Sequence, residues 1–214
     1  MGVPTLGCDC AVCTSTDPRD RRLRPSVLLR WQEGPRNRAV VVDTGPDFRE
    51  QALRNSIQRV DAVLYTHGHA DHILGLDDLR PLSFIVNRES GPIPLYASPE
   101  TAAVLERIYD YTFSPKATYP TRARVRIEPM SDQMEIFGVV FVRVPVFHGQ
   151  QEIAGFRFGR TGGPSAAGVV EGTRTQLTFK LLLTGGNVPE EERECHPKRY
   201  RQAEGRAVRV GLGK

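Results

Sequence analysis

The stretch Thr66-His67-Gly68-His69-Ala70-Asp71-His72 places three imidazoles and a carboxylate within seven residues of a chain that has only five histidines. Imidazole nitrogen and carboxylate oxygen are the donors that zinc and similar borderline cations take. A lone histidine is usually a surface or core residue, whereas three at this spacing beside an aspartate point to metal. His67 and His69 sit two apart and can converge on one ion. Asp71 and His72 lie further round the same turn and suit a second ion beside it. Gly68 and Ala70 keep the intervening positions small, so the backbone can curl around the site.

Such donors have to be aimed, and the apolar run Ala62-Val63-Leu64-Tyr65 directly before them reads as a strand over residues 61–65. Side chains on a turn leaving a strand are held by a rigid end. Residues 26–31 read as a strand, 33–37 as a hairpin-type turn, and 39–42 as a continuously apolar, buried strand. Residues 47–55 are expected to be helical, capped by Asp47, with Phe48, Ala52 and Leu53 towards the core. Residues 75–84 are expected to begin with a short helix. Residues 93–97 read as a strand. Ser98-Pro99-Glu100 then combines an N-cap, a proline at the first helical position and an acid in the first turn. Ala102, Leu105, Ile108 and Tyr109 share one face of the helix that follows. Residues 125–127, 135–137 and 139–144 read as short strands. After them, His148 stands between an apolar stretch and Gly149, as a further candidate ligand. Strand, helix and strand recur with short links, so the class is α/β.

His-x-His-x-Asp-His after a strand resembles the signature of the metallo-β-lactamase superfamily of metal-dependent hydrolases. Val41-Val42-Asp43-Thr44-Gly45-Pro46-Asp47 resembles that superfamily's strand ending in an aspartate that supports the site. The resemblance implies a four-layer αββα sandwich with the metals at one edge of the paired sheets. It implies His67, His69 and His148 as ligands of a first ion, and Asp71 and His72 as ligands of a second. Asp71 would also orient the nucleophile, and Asp43 would accept from a ligand imidazole or a nearby backbone amide.

The chain has four cysteines, three of them clustered as Cys8-x-Cys10-x-x-Cys13. Cys8 and Cys10 are too close to pair easily, and three thiols in six residues suggest metal more than disulfide. A structural zinc takes four ligands, so the cluster supplies three. Gly7-Cys8-Asp9-Cys10-Ala11-Val12-Cys13, followed by Asp17-Pro18-Arg19-Asp20-Arg21-Arg22, is similar to the subgroup containing the phosphodiesterase of the carbon–phosphorus lyase pathway. That resemblance implies hydrolysis of phosphodiesters, including 1,2-cyclic ribose phosphates, through a metal-activated hydroxide. It also implies two catalytic zinc or manganese ions, and a structural zinc held by three Cys and a His within a loop at residues 7–24. Cys195 or His196 is the candidate for the fourth ligand.

The resemblance runs strongest over residues 2–158. Further on, Leu181-Leu182-Leu183-Thr184-Gly185 resembles the subgroup's next strand, and Gly185 stands where an aspartate bridging the two metals is expected. After Glu194 the subgroup's later strands, helix and final His ligand have no counterpart. The domain is therefore expected to span residues 1–189, incomplete in its C-terminal half, with a diverged and disordered tail at 190–214. Hydrolysis is expected to be weak unless another carboxylate, such as Glu171 or Glu190, reaches the metals. The alternatives are a non-catalytic metal-binding remnant of the same fold, or a superfamily hydrolase with another substrate.

Composition narrows the partners. In 214 residues the net charge is +4, and from His196 onward there are six basic residues and one acidic. The rest holds 23 basic and 24 acidic residues, a net of −1, so the basicity belongs to the tail. A nucleic-acid partner is disfavoured, since neither a basic body nor an RNA-gripping insertion is evident. Mean hydropathy is −0.36, and no run nears the roughly 20 apolar residues of a membrane span. No export signal is evident at the N-terminus, so a cytoplasmic protein is the default. The expected partner is a small phosphodiester, with a homodimer as the candidate assembly.

Overall fold

The computed structural model describes residues 2–116 and 119–159, together with the backbone of one further strand at 178–181. Val27–Glu33 (β1) and Arg36–Val42 (β2) form an antiparallel hairpin in the register Val27↔Val42 to Glu33↔Arg36. Ala62–Leu64 (β3), Ile93–Ala97 (β4) and Val125–Pro129 (β5) then add in parallel, each returning through a helical crossover. Gln133–Ile136 (β6), Val139–His148 (β7) and Gln151–Gly159 (β8) make a second, antiparallel sheet. Thr178–Leu181 (β9) pairs antiparallel with β1, which gives the first sheet the order β5-β4-β3-β2-β1-β9.

Alternation along the strands builds two cores. Leu28, Val41, Val63 and Leu95 face the helices. There they meet Phe48, Ile73, Leu76, Leu79, Val86 and Leu105. Their sequence neighbours Leu29, Trp31, Val40, Ala62 and Leu64 face the second sheet, against Met134, Ile136, Val139 and Phe141. A strand buried on both faces reads as a continuous apolar run, which is why residues 39–42 and 62–65 show no polar alternation. Each fully buried Leu, Val or Phe contributes about 1.5–3 kcal/mol. Trp31 donates its indole N–H to the Phe137 carbonyl at 3.0 Å, so its one polar atom is satisfied between the sheets.

The helices are Ala11–Thr14 (α1), Phe48–Arg54 (α2), Ala70–Ile73 (α3), Arg80–Ser90 (α4), Pro99–Ile108 (α5) and Asp110–Phe113 (α6). Ser98 caps α5 as expected, its hydroxyl accepting from the Thr101 N–H at 3.3 Å. Two local expectations are corrected. Asp47 precedes α2 but makes no capping bond. Its carboxylate instead accepts from the backbone N–H and guanidinium of Arg24, at 2.7 and 2.8 Å. Leu53 is 60% exposed, and Gln51 takes the buried position on that face of α2. Residues 75–84 open with a short helix as expected, a 3₁₀ turn at Leu76–Leu79, and the α-helix follows from Arg80, one residue before Pro81. The second sheet is also longer than expected, with β7 running unbroken through Pro145 to His148. Among the described residues, three of the four expected layers are present: helices, six-stranded sheet and three-stranded sheet. Residues 190–214 lie outside the described residues.

Candidate metal centre

The parallel strands β2 and β3 end side by side, and the site grows from their ends. Asp43 follows β2, and its N–H extends the ladder to the Leu64 carbonyl at 2.9 Å. Its backbone then turns into the left-handed region, φ 61°, where aspartate is among the few side chains that sit readily. The buried Ser26 hydroxyl donates to the Asp43 carbonyl at 2.7 Å and holds that turn. The turn swings the carboxylate across to the end of β3. There Oδ1 accepts from the Thr66 N–H and Oδ2 from the Thr66 hydroxyl, both at 2.8 Å. Oδ2 also meets His72 Nδ1 at 2.7 Å. The Thr66 carbonyl accepts from the Ala154 N–H at 2.9 Å, tying the loop to β8 in the second sheet.

His67 is only 4% exposed, and its Nε2 lies 3.0 Å from Nδ1 of His69. His72 packs its ring 4.1 Å from that of His67, centroid to centroid. Asp71 and His72 belong to the short helix α3 rather than to an open turn, and Asp71 Oδ2 lies 3.9 Å from His72 Nε2. His148 is the last residue of β7, facing Gln151 across a tight hairpin. Its ring centroid is 5.6 Å from that of His69 and 6.1 Å from that of His67. The structure thus brings His67, His69, His72 and Asp43 into one neighbourhood, with Asp71 beside them and His148 further out on an exposed hairpin end, but no three of these residues bring their ligand atoms within 4.8 Å of one another.

The donor chemistry fits divalent cations. Burial, then the neighbouring rings of His72 and His69, pull the His67 pKa down to about 4. His67 is therefore neutral at physiological pH, as a ligand imidazole must be. Burial lowers His72 as well, but the hydrogen bond and charge of Asp43 outweigh it and leave His72 above the ordinary imidazole value. A metal-ligating histidine typically gives its other ring nitrogen to a carboxylate or carbonyl. His72 gives Nδ1 to Asp43, and its Nε2 faces Asp71.

The cysteine cluster forms a second donor set. Among the described residues, Cys8, Cys10 and Cys13 are the only three His, Cys, Asp or Glu residues whose ligand atoms all lie within 4.8 Å of one another. Backbone N–H groups point at the sulfurs, Cys13 to Cys10 Sγ at 3.4 Å and Thr5 to Cys13 Sγ at 3.3 Å. The loop that carries them is closed by Val3 and Arg22, which exchange backbone hydrogen bonds at 2.8 and 2.9 Å. Cys195 and His196 lie outside the described residues, as do Gly185, Glu171 and Glu190. Cys10→Ser is expected to lower bound zinc by up to one ion per chain and to destabilise the loop. Elemental analysis of the purified variant checks this, and unchanged zinc would count against a thiolate site.

Two residues that matter here were not singled out by residue type. Thr66 stands at the head of the histidine stretch, yet a threonine announces no chemistry until its hydroxyl is seen between Asp43 and His67. Thr44, wholly buried, meets the Tyr65 hydroxyl at 2.7 Å beneath the site. Burial pushes the Tyr65 pKa far up, so the pair is a neutral hydrogen bond supporting the floor.

The family model for the β-lactamase superfamily domain matches residues 38–179, more than half of the chain. The chain belongs to this superfamily. The matched segment of this β-lactamase superfamily domain contains Asp43, the whole histidine stretch and His148. A crystal structure of a diphosphatase from the PhnP family shares 52% sequence identity, with a TM-score of 0.63. That match covers 74% of this chain and 57% of the diphosphatase. An octanoyltransferase of Porphyromonas gingivalis is 35% identical over 160 residues, 74% of this chain and 31% of that protein. Coenzyme PQQ synthesis protein B of Methylorubrum extorquens is 31% identical over 121 residues, 51% of this chain and 38% of that protein. The chain thus spans about a third of the length of these curated relatives. Among the described residues no helix is long and apolar enough to cross a membrane.

Proposed function

We propose that the chain is a metal-dependent hydrolase of phosphoryl bonds, acting on a small phosphodiester. The observation that carries this reading is the facing pair of His67 Nε2 and His69 Nδ1 at 3.0 Å, with Asp43 holding His72 directly and reaching His67 through the Thr66 hydroxyl. The likeness to the PhnP-family diphosphatase supports a phosphoryl substrate over other substrates of the superfamily. That same likeness favours a second reading, in which the scissile bond is a phosphoric anhydride.

His67, His69 and His148 would hold one divalent zinc or manganese ion, and Asp71 and His72 a second. Two such ions supply Lewis acidity towards the phosphoryl oxygens and a water acidified enough to be nucleophilic near neutral pH. The chain's own residues do the rest. Thr66 and Asp43 hold the imidazoles in register. Asp71, partly exposed at the first turn of α3, would orient the attacking water. Cys8, Cys10 and Cys13 would hold a structural zinc remote from the reaction.

The test is hydrolysis of bis(p-nitrophenyl) phosphate and of a nucleoside diphosphate derivative, with added manganese or zinc. The chain is expected to turn over slowly, because Gly185 stands where a bridging carboxylate is expected. Absence of one well-placed charge-stabilising group costs about 10²–10³ in rate. His69→Ala should abolish turnover and Gly185→Asp should raise it. Cleavage of neither substrate by any of these proteins would sink the proposal, and metal-loaded but inert protein would favour a binding remnant. Fast turnover that Gly185→Asp leaves unchanged would move the bridging role to another carboxylate.

A further inference from the structure

One hydroxyl proton sets the state of the most buried ligand. Thr66 Oγ1 has a single hydrogen and two lone pairs, whereas a carboxylate has only acceptors. Its 2.8 Å contact with Asp43 Oδ2 therefore uses the Thr66 proton. Thr66 Oγ1 also lies 2.9 Å from His67 Nδ1. With the hydroxyl proton already committed, that bond needs its hydrogen from the ring. His67 must then carry N–H on Nδ1 and its lone pair on Nε2, the nitrogen that faces His69. His72 gives its own Nδ1–H directly to Asp43 Oδ2 at 2.7 Å, and its distance of 3.4 Å from Thr66 Oγ1 makes that contact secondary.

We propose that Thr66 is the positioning residue of His67, relaying the Asp43 carboxylate to it and selecting the tautomer that presents Nε2. One carboxylate thus orients two imidazoles, His72 directly and His67 through a hydroxyl. The backbone leaves the relay little slack. The Thr66 N–H is held by Asp43 and its carbonyl accepts from Ala154, so the hydroxyl rotor is the remaining freedom. A β-branched side chain is stiff at χ1, which suits threonine to the place. This inference rests on the metal-centre reading for its consequence, but not for its geometry.

The experiment compares the chain with Thr66→Val, which keeps the shape and removes the hydroxyl, and with Thr66→Ser, which restores it. Long-range ¹H–¹⁵N correlation spectra of protein without metal at the histidines report the His67 tautomer, assigned against His67→Gln. Cobalt(II) titration then reads the histidine site, since its visible bands separate imidazole–carboxylate from thiolate ligation. The chain and Thr66→Ser should show Nδ1–H on His67, and Thr66→Val should show a tautomer mixture. Cobalt affinity at the histidine site should fall about 10–100-fold in Thr66→Val, as for other partners of ligating histidines, and recover in Thr66→Ser. An Nε2–H tautomer in the unaltered chain overturns the inference, as does Thr66→Val retaining the single tautomer. Should no protein bind cobalt at the histidines while the tautomer pattern holds, the positioning role stands and the metal reading is the one that fails.

Discussion

Asp43→Asn is expected to weaken metal binding at the histidine site by about 10²–10⁴ while the chain still folds. Removing one carboxylate partner of a ligating histidine typically costs 10–100-fold, and Asp43 governs two imidazoles, so the factors multiply. Asparagine is the informative replacement because it tolerates the left-handed backbone that Asp43 adopts, φ 61°. What it cannot do is accept everywhere. The Asp43 oxygens receive the Thr66 N–H, the Thr66 hydroxyl and His72 Nδ1 at 2.7–2.8 Å, and an amide nitrogen in that place opposes donors with a donor. Relief comes from His72 moving its hydrogen to Nε2, which buries the lone pair away from Asp71. Asp43→Ala should be worse in a different way. It leaves three part-buried donors without their carboxylate, each costing up to about 1–3 kcal/mol, in a backbone conformation that alanine resists. The expected signature is a folded, metal-poor Asn variant beside an Ala variant with a lowered unfolding midpoint. Chelator competition and urea titration read the two effects. Wild-type metal affinity in Asp43→Asn would remove Asp43 from the centre of the site.

How much of this was legible beforehand depended on whether the signal was local. The histidine stretch and the buried run before it are written in residue types a few positions apart, as are the Ser98-Pro99 helix start and the thiol cluster. The Asp47 cap failed because a distant group, Arg24, competes for the carboxylate. Leu53 was misplaced because Gln51, a polar residue, fills the core side of α2 by donating its amide to the Arg24 carbonyl at 2.6 Å. Helical periodicity cannot see a partner 27 residues away. The reach of β7 was hidden by Pro145, which lacks the N–H a ladder normally wants and reads as a strand end. Thr66 illustrates the remaining gap: its role lies in proton bookkeeping across two strands, and no spacing rule encodes that. Asp71 and His72 lie together for a simple reason. Adjacent residues on the first turn of α3 have little choice about where they start.

Gly45→Ala is expected to lower the unfolding midpoint by about 6–12 °C and to disturb the metal site together with it. A methyl group at position 45 would lie 2.2 Å from the Asp71 carbonyl oxygen and 3.2 Å from the Asp71 carbonyl carbon. Nor is this contact isolated. A methyl at Gly75 would lie 2.1 Å from the Gly45 carbonyl oxygen, and the Gly75 N–H donates to the Thr44 carbonyl at 2.8 Å. Three backbone segments, the turn after β2, the start of α3 and the 3₁₀ turn beyond it, are therefore pressed together without side chains between them. No rotamer change can relieve a clash of backbone with backbone, so the segments must part. Overpacking of that kind costs about 3 kcal/mol at its upper range. For a chain of this length each kcal/mol is worth about 2–4 °C. Parting them also carries Asp71 and His72 away from Asp43, so the loss of stability and the loss of metal should appear together. Gly34→Ala is the matched control. It places its methyl in open space at φ 56°, so it strains the backbone of a hairpin turn without crowding anything. It should cost about 1–2 kcal/mol and leave metal binding unchanged. If Gly45→Ala melts and binds metal like the unaltered chain, the three segments are not packed as tightly as the backbone contacts require, and the placement of α3 against Asp43 falls with them.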